Sequence, residues 1–183
     1  MTEQVILVDE NDCETGLMEK MRVHRQARLH RAFSVLVFNK SGDVLLQRRA
    51  HSKYHCGDLW ANTCCSHPRK GEAVEQAAHR RLSEEMGFDC PLAEKYAFTY
   101  KAELDHGLTE HEFDHVFFGE YDGQVNPNPE EVCETKWIAP SELRKDLAQN
   151  PEKYTPWFRK IAEKTLGYAI GLTCRGRRAI TSQ

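Results

Sequence analysis

Trp60-Ala61-Asn62-Thr63-Cys64-Cys65-Ser66-His67-Pro68, continuing through Gly71-Glu72 to Glu84-Glu85-Met86-Gly87-Phe88, is the stretch around which the chain is organised. It opens as a β-type run, turns between Ser66 and Gly71, and continues as a helix. On that helix Val74, Ala77, Ala78, Leu82 and Met86 recur at helical spacing, and Gly87 supplies the stop. A strand, a tight loop and an acidic helix are therefore contiguous. The loop holds a thiol and an imidazole close together, Cys65 and His67. Glu84 and Glu85 fall in the last turn, where the negative end of the helix dipole disfavours carboxylates unless a cation stands nearby. The alternative is a solvated acidic face, the common fate of a charge run.

Working outward, a chain of 183 residues fits one domain with its own core. Basic and acidic residues nearly balance, 25 against 28, and only Arg175-Gly176-Arg177-Arg178 clusters cations, which is too short a run to imply nucleic acid. Seven irregularly spaced cysteines do not form a disulfide framework, and Met1-Thr2-Glu3-Gln4 with a short apolar run does not read as a signal peptide. Reduced thiols and a cytoplasmic location are expected. No window approaches the roughly 18 apolar residues needed to span a bilayer.

Towards the N-terminus, Gln4 to Val8 reads as a strand and Glu14 to Lys20 as an extended piece. Met21 to His30 has no clean period and is expected to be a loop presenting two histidines. Arg31 to Asn39 and Val44 to Arg49 read as a hairpin closed at Lys40-Ser41-Gly42-Asp43. Ala50 to Asp58 is a polar loop with His51, Lys53 and His55. Beyond the helix, Tyr96 to Ala102 and Glu110 to Tyr121 form two strands around Asp105-His106-Gly107. In the second, Glu110, Glu112 and Asp114 share one face, and His111, Phe113 and His115 the other. Val132 to Ile138 is a strand, and Pro140 to Leu147 and Pro156 to Thr165 are helices. Strands and helices mix without regular alternation, which predicts a mixed-sheet α/β sandwich rather than a doubly wound parallel sheet.

The segment 66–88, with Ser66, Glu72, Arg80-Arg81-Leu82-Ser83-Glu84-Glu85-Met86-Gly87-Phe88, resembles the Nudix box. Ser66 stands where the box has Gly, and Arg81 where it has a Glu that Nudix hydrolases use to organise metal and water. The flanks narrow the resemblance. Asn62-Thr63-Cys64-Cys65-Ser66-His67-Pro68, Glu19-Lys20, His24, Leu29-His30-Arg31-Ala32-Phe33-Ser34, Arg48-Arg49-Ala50, Lys53, Tyr100 and Glu110-His111-Glu112 are similar to the type 1 isopentenyl-diphosphate Δ-isomerases. The likeness runs from about Glu19 to Trp157, and within that family both Ser66 and Arg81 are expected. It implies a Nudix-type α/β/α sandwich with a mixed β-sheet, a single domain over 1–183, and a basic tail at 175–183.

The resemblance also implies a chemistry. The family moves a double bond by protonating an alkene on one side and deprotonating on the other, in isoprenoid biosynthesis. Cys65 and Glu112 would be the two acid/base groups and Tyr100 would assist proton transfer, while Cys64 points away into packing. His24, His30, His67, Glu110 and Glu112 would hold Mn2+ or Zn2+, a donor set with no thiolate. A Mg2+ carried by the diphosphate would meet Glu85 and the backbone carbonyl of Cys65. Lys20, Arg49, Lys53, Ser66 and Arg81 would contact the substrate, and Trp157, with Trp60 as its neighbour, would face the developing cation. The implied partner is a small isoprenoid diphosphate, with no nucleic acid or membrane, in a monomer or homodimer. Two alternatives are a Nudix pyrophosphohydrolase, disfavoured by Arg81, and a zinc-stabilised binding domain on Cys64, Cys65 and His67, disfavoured because adjacent strand residues diverge.

Overall fold

The computed structural model describes residues 3–165, so the expected basic tail lies outside the described residues. β1 (Gln4–Val8) and β2 (Glu14–Glu19) pair antiparallel, and α1 (Lys20–Gln26) follows at once. Then come β3 (His30–Phe38), β4 (Val44–Arg49), β5 (Trp60–Ala61), β6 (Cys64–Ser66) and α2 (Val74–Met86). β7 (Leu92–Glu103) and β8 (Thr109–Glu120) make a long hairpin, β9 (Val132–Ile138) leads into α3 (Pro140–Gln149), and a helix over residues 156–165, α4, ends the described chain.

β3 is the axis of the sheet. Ala32 to Val37 are all buried, as expected of a near-continuous apolar run covered on both faces. One edge runs parallel to β8 from His30 to Phe38. Its other edge is shared by β1 at His30, β6 at Phe33 to Val35 and β4 at Phe38. On one face of the sheet α2 lays Ala77, Ala78, Leu82 and Met86 against Phe33, Val35, Val37 and Leu45. On the other, Leu143 of α3 and Phe158, Ile161 and Ala162 of α4 cover Leu36, Val44 and Leu46. Two helical layers thus enclose one mixed sheet, the α/β/α sandwich read from the sequence.

Two local expectations are corrected. Met21 to His30 is not all loop: α1 occupies Lys20–Gln26. Its first turn is capped by the Glu19 carboxylate, which accepts from the amides of Met21 and Arg22 at 2.9 and 2.8 Å, and it ends at Ala27 with φ 50. Seven polar-rich residues with Val23 and His24 buried carry too little apolar repeat to announce a helix. The turn between β3 and β4 forms, but the strands pair only at Phe38 and Val44 before diverging, and β4 takes β9 and β5 as partners. Burial on both faces outweighs local hairpin pairing here.

Gly87 ends α2 in the left-handed region at φ 73, and a Cβ there would stand 2.1 Å from the Asn126 carbonyl oxygen. Gly87→Ala is expected to destabilise the fold by at least about 2 kcal/mol, the left-handed penalty plus a backbone collision. Urea unfolding checks this, and a loss below about 0.5 kcal/mol would contradict it.

Candidate active site

The sheet brings the chemistry-bearing residues together through register. Glu112 on β8 pairs with His30 on β3 and with Tyr100 on β7, so an imidazole and a phenol flank one carboxylate. Glu110 lies two residues away on the same buried face, as the alternation predicts. β6 lies on the opposite edge of β3 from β8, and alternation along it sends Cys64 into the α2 layer and Cys65 towards Tyr100 and Trp157. Cys65, Ser66, His67, Tyr100, Glu110, Glu112, Arg49, Lys53, Lys20, Arg81, Glu85 and Trp157 all line one inner cavity of about 60 Å³. His24 and His30, both fully buried, stand behind its wall.

Acceptor atoms crowd in the histidine cluster. His24 Nδ1 donates to the Lys20 carbonyl at 2.7 Å and His30 Nδ1 to the Arg28 carbonyl at 2.9 Å, which leaves each Nε2 lone pair facing inward. His30 Nε2 stands 3.2 Å from His67 Nε2 and 3.5 Å from Glu112 Oε1, and His67 Nε2 lies 3.0 Å from the same oxygen. His24 Nε2 is buried with no hydrogen-bond partner. One donor atom from each of His24, His30, His67 and Glu112 lies within 4.8 Å of the others. Converging lone pairs and a carboxylate repel one another until a cation sits among them, so this donor set fits a divalent ion of borderline hardness.

The carboxylates meet Tyr100, whose hydroxyl lies 2.5 Å from Glu112 Oε2 and 3.0 Å from Glu110 Oε2. One hydroxyl proton cannot serve two carboxylates, and the pair divides accordingly. Burial and the neighbouring Glu112 charge push Glu110 well up; burial opposes ionisation of Glu112 too, but its contacts with the His30 and His67 imidazoles hold it well down. Asp114, next on that face, is held protonated by burial and by Glu112. Burial raises the Cys65 thiol, with Glu85, Glu110 and Glu112 adding to the effect and Arg49 opposing it. These shifts favour a protonated Cys65 sulfur and an ionised Glu112 carboxylate, one proton donor and one proton acceptor.

Cations converge beside this chamber, and Lys20, Lys53 and Arg81 among them have carboxylate partners. Lys20 pairs with Glu3 at 3.2 Å and Lys53 with Glu131, while Arg81 donates to Glu85 at 2.6 Å, Glu84 at 2.7 Å and Glu131 at 3.2 Å. An adjoining cavity of about 390 Å³ shares Lys20, Lys53, Ser66, His67 and Arg81 with the inner one and adds Arg69 and Arg80. The cation expected near the acidic end of α2 is Arg81, which bonds both Glu84 and Glu85. Glu72 of the box is engaged structurally, accepting from Arg80 at 2.7 Å.

Trp157 is buried and its indole Nε1 has no partner, with the Arg49 guanidinium 5.1 Å from the ring centre. Trp60 does not share the role given to it as a neighbour: it is absent from the cavity wall, and Lys136 sits 4.1 Å over its ring. Arg48 faces outward to Asp58 and Glu134, and His115 turns away to Asp12 and Glu94. Sequence reading missed Tyr54 and His55 on the wall, Glu131 beside Lys53 and Arg81, and Gln47, which donates to Glu85 at 2.9 Å. The only available signal was the alternation of His51, Lys53 and His55 in one polar loop. A larger groove of about 890 Å³ beside Lys101, Arg159 and Glu163 contains no histidine or cysteine among the described residues.

Burial also depresses His24 and takes His67 down to about 4. The folded state keeps these imidazoles neutral below the ordinary histidine value of about 6.5, while the unfolded chain takes up protons there. The metal-free protein is thus expected to lose stability as pH falls from about 6.5 to about 4, by about 3 kcal/mol from His67 alone. Urea unfolding of chelator-treated protein across that window checks this, and a flat profile would contradict it.

Comparison with known proteins identifies the fold and the family. The NUDIX domain profile matches residues 28–158. The chain is 50% identical over 166 residues to isopentenyl-diphosphate Delta-isomerase 1 of Aromatoleum aromaticum, covering 91% of this chain and 94% of that protein. It is 50% identical over 161 residues to isopentenyl-diphosphate Delta-isomerase 2 of Photorhabdus laumondii, covering 88% and 91%. Among solved structures, DR0079 from Deinococcus radiodurans superposes with a TM-score of 0.75 at 19% identity over 88% of this chain and 98% of that one, a likeness of fold. The chain belongs to the type 1 isopentenyl-diphosphate Δ-isomerase family, a branch of the NUDIX proteins.

Proposed function

We propose that this chain performs the family reaction with Cys65 and Glu112 as the two proton-transferring groups. It interconverts isopentenyl and dimethylallyl diphosphates in isoprenoid biosynthesis. The observation that carries the residue assignment is that a thiol and a carboxylate, delivered from opposite edges of β3, line the same small cavity beside a cationic chamber. A proton added to the terminal methylene gives a tertiary cation, and loss of a proton from the adjoining methylene on the other side completes the shift. Reversal exchanges the two roles. Tyr100 orients the Glu112 carboxyl, and the Trp157 ring stabilises positive charge on carbon by up to about 2 kcal/mol in a dry site.

The diphosphate lies where the inner cavity meets the cationic chamber: Lys20, Lys53 and Arg81 exchange their carboxylate partners for phosphate oxygens, and Arg49 and Ser66 contact it from the inner cavity. Glu85 and the Cys65 carbonyl would hold a Mg2+ carried by the diphosphate, which would neutralise phosphate charge. His24, His30, His67, Glu110 and Glu112 would hold Mn2+ or Zn2+, and such a charge would make a proton on Glu112 more acidic when Glu112 is the donor. The substrate is a small diphosphate, with no nucleic acid or membrane partner, in a cytoplasmic monomer or homodimer. The free thiols of Cys13, Cys56, Cys64, Cys65, Cys90 and Cys133 support a reducing compartment.

The test is incubation of isopentenyl diphosphate with the enzyme and Mg2+ in deuterium oxide, followed by NMR with a parallel phosphate-release assay. Deuterated dimethylallyl diphosphate without released phosphate is expected. Phosphate release without deuterium uptake would establish a hydrolase instead.

A further inference from the structure

His55 belongs to no role assigned above, yet it is 3% exposed, lines the inner cavity, and has a buried Nδ1 without a hydrogen-bond partner. One donor atom each of His24, His55 and Glu110 lies within 4.8 Å of the others, a second cluster that shares His24 with the first. The two clusters cannot hold separate ions through that residue, because His24 Nδ1 is committed to the Lys20 carbonyl and only Nε2 is left to bind. One ion at His24 Nε2 is therefore the arrangement that serves both clusters. Ring placement agrees: the His55 ring centre is 6.0 Å from that of His24, and the His67 ring centre is 5.9 Å from it. Donors bound at about 2.0 to 2.2 Å lie at most about 4.4 Å apart, so each cluster must contract slightly, and the two must draw together around the shared His24, for one ion to take both. Trp157 and Tyr54 pack perpendicular to the His55 ring at 5.6 and 4.3 Å, which fixes its plane.

We propose that His55 Nδ1 is a sixth protein donor to the histidine–glutamate metal centre, enclosing the ion in four imidazoles and two carboxylates. The inference rests on the reading that this centre binds a divalent ion. An ion so enclosed has no position for water or substrate, so its influence reaches the reaction only through its ligands. It also ties the loop carrying Lys53, two residues from His55, to the metal.

The experiment uses Mn2+ as the probe on the full chain, without diphosphate or Mg2+. Pulsed EPR of protein labelled with 15N-histidine counts bound imidazoles, and water-proton relaxation counts exchangeable water on the ion. Wild type is expected to bind one Mn2+ with four imidazoles and no water. His55→Phe, which keeps the ring contacts with Trp157 and Tyr54, is expected to bind it with three imidazoles and one water. Three imidazoles and a water in the wild type, unchanged in His55→Phe, overturns the role of His55 and leaves the centre standing. Failure of the wild type to bind Mn2+ stoichiometrically defeats the centre and this inference together.

Discussion

Cys65→Ala is expected to lower the isomerisation rate by at least about 10³-fold, near the upper range for removal of a positioned acid/base, while the protein stays folded. The backbone of Cys65 pairs with Ser34 through β6, and the residue is not fully enclosed, so truncation removes one sulfur and no ladder hydrogen bond. Burial favours the protonated form of that sulfur, and no other thiol among the described residues lines the cavity. Cys64, one residue away, faces the α2 layer and cannot substitute. Deuterium uptake into isopentenyl diphosphate and thermal unfolding should be measured on the same preparation. Exchange within tenfold of wild type in a folded variant would remove Cys65 from the reaction.

Glu112→Gln carries the second large effect, because one carboxylate serves two purposes. Its Oε1 lies between His30 and His67 and its Oε2 takes the Tyr100 hydroxyl. The amide has nearly the same shape, so packing survives, but the negative charge and one anionic donor to the ion are gone. Isomerisation is expected to fall by about 10³-fold or more, and affinity for the bound ion by at least about tenfold. Elemental analysis after dialysis separates the two losses. A variant that keeps both its ion and exchange within tenfold of wild type would refute the assignment.

How far these residues could be seen in the sequence depended on how local their determinants are. α2 declared itself through Ala77, Ala78, Leu82 and Met86 and the stop at Gly87, and the β8 alternation placed Glu110 and Glu112 on one face. These patterns reflect burial of a single element, and a single element is what a sequence prints. α1 was hidden because its seven residues are stabilised by the Glu19 cap and by burial of Val23 and His24 against other segments. The pairing of β4 with β9 spans more than eighty residues and leaves no short-range mark. Within the site, residues fitting the family pattern were legible. Glu131 was not, since its significance lies only in reaching Lys53 and Arg81 from a loop without a motif. His55 was noticed as one polar residue among several, and only the fold shows it turned inward while His51 stays exposed beside Asp58.

The central strand has a mechanical meaning. Because β6 and β8 are both laced to β3 by main-chain ladders, the gap between sulfur and carboxyl is fixed by peptide geometry. The cations that would grip the charged head stand mostly outside that ladder, Lys20 at the start of α1, Lys53 in a loop and Arg81 on α2. Wear at the perimeter therefore weakens capture first, and the spacing of the reacting atoms persists until the sheet itself comes apart.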